Sequence, residues 1–129
     1  MKRRTFLKLL GVAGWGLFAP VRLVPSRPVE TRPLLRCHVA GLQYHDGVDL
    51  SYRSGEALTL RREPHNRYDA NAIAIYRGDL RIGYLPRRLN PTPARRMDRS
   101  TPLHCRITAY TPDAPTWERV EVEVYEEIE

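Results

Sequence analysis

Apolar positions recur with a period of two along most of the chain beyond residue 33. Val120, Val122 and Val124 alternate with glutamates, which predicts valines inward and Glu121 and Glu123 outward on one strand. Ile73 and Ile75 alternate with alanines, and Leu80 and Ile82 with arginines, as two half-buried strands would. Between them Arg77-Gly78-Asp79 reads as a tight hairpin. The same reading predicts strands over 34–42, 57–62, 72–76, 80–84, 103–110 and 119–125. One short helix is predicted over 92–98, with Thr92 as its cap and Pro93 in its first turn. No internal repeat appears, and a domain of about a hundred residues has room for one modest core.

Between the second and third predicted strands runs a polar corner, Arg62-Glu63-Pro64-His65-Asn66-Arg67-Tyr68-Asp69-Ala70-Asn71-Ala72-Ile73. Pro64, Asn66, Asp69 and Asn71 are residues with which a chain turns sharply and bonds its own backbone. Ordering so long a corner costs entropy, so it either holds the fold together or binds something.

This corner, with Val39-Ala40-Gly41-Leu42-Gln43-Tyr44 before it and Ile82-Gly83-Tyr84-Leu85-Pro86 after it, resembles the HIRAN domain family over roughly residues 35–127. The resemblance implies a small modified OB-like or SH3-like β-barrel of about six strands with one short helix, occupying 35–129. In eukaryotic helicase-type remodellers the family's domain grips the 3′ end of single-stranded DNA, and bacteria also carry it free-standing. Carried over position by position, the family's pocket falls on Tyr44, Tyr68, Asp69, Tyr84 and Arg87. Three departures stand out. Gln43 is neutral where DNA binders often have a basic residue, His45 replaces an aromatic or polar one, and Tyr84 stands where some place a histidine. Pro91 and Pro93 shorten a helix that is longer in other members. The set suits a strand end: tyrosines stack on unpaired bases, and Arg87 with Arg88 can meet phosphates. The Asp69 carboxylate can accept a bond from a terminal hydroxyl and repel a continuing phosphate.

The N-terminus points elsewhere. Lys2-Arg3-Arg4-Thr5-Phe6-Leu7-Lys8 resembles the twin-arginine export motif, and an uncharged, mostly apolar run from Leu9 to Val21 follows. Residues 1–28 are therefore read as an export signal and the start of a linker, and 29–34 as the rest of that linker. The implied partner is the twin-arginine machinery, with residues 9–21 as a candidate membrane tether and the domain facing outward or free in the periplasm. Two partners follow: single-stranded nucleic acid, or an envelope protein or anionic ligand taken by the same pocket.

Charge changes meaning under this division. The net +6 is held entirely by residues 1–29, which carry six basic and no acidic side chains. Residues 30–129 balance fifteen arginines with fifteen carboxylates. The basic side chains crowd between Arg53 and Arg106 and the acidic ones after it, predicting either a two-faced surface or neutralisation across a sheet.

Cys37 and Cys105 fall on predicted core faces. Strands pairing with 37 opposite 105 would allow a disulfide; two separate buried thiols are the alternative. That register would also set His38 opposite His104. Adjacent residues on a strand face opposite ways, so the four do not make a zinc site. No cofactor motif and no catalytic constellation emerges: Glu63 and Asp69 read as corner-forming carboxylates, and a non-enzymatic binding module is the reading.

Overall fold

The computed structural model describes residues 30–128. Its strands are β1 Glu30–His38, β2 Ala57–Arg62, β3 Ile73–Arg77, β4 Leu80–Tyr84, β5 Leu103–Tyr110 and β6 Val120–Ile128, with one helix, α1 Pro91–Asp98. They form one antiparallel six-stranded sheet in the order β1-β6-β5-β2-β3-β4. The expected signal and tether within residues 1–28 lie outside the described residues. Among the described residues no helix is long and apolar enough to cross a membrane.

The sheet curls but does not close along its length. Just past β1, the chain meets β4 at a single bridge: Ala40 N donates to Tyr84 O at 2.8 Å, and Tyr84 N to Ala40 O at 2.9 Å. Gly83 permits this approach, because a Cβ there would lie 2.4 Å from Val39 Cγ1 and 2.5 Å from Ala40 O. The inner faces meet in a core of Leu42, Ile73, Ile75, Ile82, Leu85, Ile107, Val122 and Val124. Each such side chain contributes roughly 1.5–3 kcal/mol by leaving water. The β3–β4 hairpin turns at Gly78, whose φ of 61° meets the demand for a left-handed first turn position.

Four expectations are corrected. First, β1 begins at Glu30, so the segment expected to be linker pairs with β6 from Ile128 back to Tyr125. Pro33 is tolerated there because β1 is an edge strand and its register shifts between Pro33 and Leu35. Second, β1 stops at His38. Gly41, at φ 78°, turns the chain into a short 3-10 turn over Leu42–Tyr44. Third, α1 starts at Pro91, one residue before the expected cap, with Asn90 in the cap position and no side-chain cap bond.

The fourth correction concerns the cysteines. β6 lies between β1 and β5, so Cys37 pairs with Val122 and Cys105 with Val124. Two strand spacings, about 10 Å, exceed the ~4.4–6.8 Å between Cα atoms that a disulfide tolerates. Both thiols are free and buried. His38 and His104 likewise pair with Glu121 and Tyr125, not with each other.

The place of β6 between β1 and β5 also settles the charge pattern. Glu123 takes Arg36 from β1 at 3.3 Å and Arg106 from β5 at 2.8 Å, a rung straight across three strands. Glu126, buried on the valine face, pairs with Arg32 and with Arg96 of α1. Neutralisation across the sheet is thus what the acidic C-terminal strand does.

Candidate functional site

The corner between β2 and β3 is built from its own side chains. Asn66 Oδ1 accepts the backbone amides of Tyr68 at 2.9 Å and Asp69 at 3.2 Å. Asp69 Oδ1 in turn accepts the amide of Asn71 at 2.9 Å. Two successive side-chain turns of this kind replace a regular ladder and leave Tyr68 standing out, 75% exposed. Glu63 at the corner's base anchors it to β4. Its Oε1 accepts Tyr84 Oη at 2.9 Å and Asn66 Nδ2 at 3.0 Å, and its Oε2 lies 3.6 Å from Arg81.

Beside this corner opens a cleft of about 410 Å³. The corner supplies Asn66, Tyr68, Asp69 and Ala72; the end of β4 and the following turn supply Tyr84, Leu85, Arg87 and Asn90. Ala40, at the bridge that joins the sheet's ends, completes the lining. Four of the five residues expected from sequence, Tyr68, Asp69, Tyr84 and Arg87, therefore come together. Tyr44 does not line this cleft. It is 80% exposed and lines a neighbouring groove with His45, Tyr76 and Arg81. Tyr84 lies between the two, its ring 6.0 Å from that of His45 and its hydroxyl accepting from Arg81 at 3.1 Å. Arg87 and Arg88 diverge: Arg88 lines a different groove with Cys37 and Trp117.

Electrostatics separate the carboxylates. Asp69 is held below the usual carboxylate range, chiefly by the Asn90 side-chain amide that donates to its Oδ2 at 2.8 Å. The Asn71 amide and the charges of Arg87 and Arg62 add to this, against burial, which acts the other way. Tyr84 is pushed up by burial and by its bond to Glu63, so its hydroxyl stays protonated. His45 is pushed down, first by burial and then by Arg81. The two carboxylates take different donors: Tyr84, Asn66 and Arg81 at Glu63, and Asn71 and Asn90 at Asp69. Arg87 and Arg67 form no ion pair among the described residues, whereas Arg32, Arg36, Arg96 and Arg106 all do.

Sequence reasoning missed Asn90, which stands between the helix and Asp69. A signal was present: an asparagine before Pro91-Thr92-Pro93 faces a helix start in which two of the first three residues lack an N–H. Among the described residues no cluster of His, Cys, Asp and Glu is arranged to hold a metal.

Fold and cleft define a small all-antiparallel module with a cleft beside a self-bonded polar corner at the sheet's joint. The chain belongs to the HIRAN domain family, whose model matches residues 34–129. The chain is 42% identical over 65 residues to a helicase-like transcription factor from Oryctolagus cuniculus, and 38% identical over 65 residues to the one from Homo sapiens. Those matches cover 50% of this chain but only 6% of either relative. Among solved structures, a protein from Lactobacillus plantarum superposes with a TM-score of 0.66 at 26% identity, over 78% of this chain and 98% of that one. The HIRAN domain of human HLTF superposes with a TM-score of 0.55 at 25% identity, over 72% of each.

Proposed function

We propose that this domain is a non-enzymatic module that takes the 3′ end of single-stranded nucleic acid into the cleft. The observation that carries the reading is the convergence of Tyr68, Asp69, Tyr84 and Arg87 on one concavity. Tyr68 offers an exposed ring on which a base can stack, and Tyr44 offers a second in the next groove, each worth about 1–3 kcal/mol. Arg87 has no carboxylate partner among the described residues to surrender before meeting a phosphate. Asp69, ionised at neutral pH, accepts from a terminal hydroxyl and repels a phosphate in its place. The test is a pair of short oligonucleotides that differ only in a 3′ hydroxyl or 3′ phosphate. The hydroxyl form binds more tightly, and binding weakens with salt at a shallow slope. Equal affinity, or no binding at low salt, discards the reading.

A second reading rests on the twin-arginine-like start and the apolar run over residues 9–21. An exported domain would offer the same cleft to an envelope protein or another anionic ligand. A reporter fused after Pro28 decides it: export that stops when Arg3 and Arg4 become lysine favours this reading, and export indifferent to the change removes it.

A further inference from the structure

Asn90 occupies the position before α1, where an asparagine oxygen ordinarily accepts the second or third amide of the helix. The third helical residue is Pro93, which has no N–H to give, and the backbone at Asn90 is itself helical at φ −86° and ψ −13°. The side chain turns instead to the corner, where Nδ2 donates to Asp69 Oδ2 at 2.8 Å. Asn90 is only 1% exposed, and its Oδ1 has no hydrogen-bond partner among the described residues. Turning the amide over would aim oxygen at a carboxylate and strand the nitrogen, so Asp69 fixes the orientation. An unpartnered buried oxygen weakens the fold, and an alanine would fill the position without that penalty. The one thing the amide supplies is its bond to Asp69.

We infer that Asn90 is a positioning residue for ligand recognition: it locks the Asp69 carboxylate in one orientation, as the acceptor for a terminal hydroxyl at the cleft. This rests on the strand-end function proposed above and assigns its discrimination to a residue outside the sequence pattern of the pocket. The groups facing Asp69 are the Asn71 amide, Arg87 and Arg62, besides Asn90 itself. Arg87 and Arg62 act at longer range, with no ion pair to Asp69, so neither fixes the carboxylate's direction. A carboxylate that turned freely would lose its fixed reach to a terminal hydroxyl, which is the favourable half of the preference. One that took up a proton would lose the repulsion of a 3′ phosphate as well.

The test uses the full chain and two variants. In Asn90→Ala, the side-chain carbon of Asp69, followed by NMR without ligand, titrates at higher pH than in wild type. Preference for the 3′-hydroxyl over the 3′-phosphate oligonucleotide falls about tenfold, while Tm stays level or rises. The isosteric Asn90→Asp serves as the second variant. At acid pH it shares a proton with Asp69 and donates as the amide does, so it binds the 3′-hydroxyl oligonucleotide as wild type does. As that proton leaves towards neutrality, its affinity for the hydroxyl end falls below that of wild type at the same pH. An unmoved Asp69 titration, a preference that survives in Asn90→Ala, or a loss of Tm without a change in preference overturns the inference. Wild type binding neither oligonucleotide overturns the strand-end function, and a raised Asp69 titration would then still sustain the hold of Asn90 on Asp69. Should Asn90→Ala fail to fold, Asn90→Asp decides alone: 3′-hydroxyl affinity that tracks wild type at every pH overturns the inference.

Discussion

Along β6, Glu123 sits between Arg36 and Arg106, and Glu126 between Arg32 and Arg96. At the cleft, Arg87 stands on the wall without an ion pair among the described residues, and Asp69 is satisfied by amides rather than by a cation. The sheet spends its charges on itself, while the cleft keeps positive charge uncommitted and pins its one carboxylate with neutral donors. A domain neutral in sum can thus offer a local site for an anion. Placement, and not net charge, decides what it can meet.

The strongest way to break this comparison is to remove what both regions share. Gly83→Ala drives a methyl into Val39 and the Ala40 carbonyl and opens the joint that lines the cleft. It should cost about 2–3 kcal/mol by chemical denaturation and abolish ligand binding with it. Stability close to wild type would mean that the joint does not hold the sheet. Tyr68→Ala addresses the cleft alone. Oligonucleotide affinity should fall by about 1–3 kcal/mol, with folding stability unchanged to within about 0.5 kcal/mol. Arg87→Ala should lower the slope of log affinity against log salt by about 1 and leave Tm unchanged; an unaltered slope would remove Arg87 from the phosphate contact.

Glu126→Gln is the mirror experiment and the smallest effect. Hydrogen bonds from Arg32, and then the charges of Arg32 and Arg96, hold Glu126 below its ordinary 4.5 in the folded state. A depressed folded value contributes stability that is present above the unfolded pKa and lost as pH falls through the folded one. The variant should therefore melt below wild type at pH 7, converge with it as pH drops under about 4.5, and bind oligonucleotide as wild type does. A binding defect in Glu126→Gln would collapse the distinction between the two regions.

Much of the fold was legible because it is local. Alternation at Val120, Val122 and Val124 shows on the chain itself, and Gly78 announces its hairpin. Strand order is not local. Nothing in the residues around Cys37 says that a strand more than eighty positions later will slide between it and Cys105, and the 37/105 register failed there. The start of β1 hid behind Pro33, which reads as linker until an edge strand and a register shift excuse it. In the cleft, Tyr68, Asp69, Tyr84 and Arg87 were readable through a shared pattern. Tyr44 was displaced because Gly41 turns the chain into a short helical turn before the cleft is reached. Asn90 was missed because its partner is twenty-one positions away: the prolines after it hint that its side chain is not needed by the helix, but not where it goes.

The buried thiols have a consequence of their own. Burial lifts Cys37 to about 11 and Cys105 to about 12, so almost none of either is thiolate at neutral pH. Oxidants react with the thiolate, which is scarce at both sites, and Cys105 at 1% exposure is closed to them as well. The domain thus owes its shape to no redox couple. The described fold places Cys37 and Cys105 on strands that are not neighbours, so shaping it asks for no oxidising step.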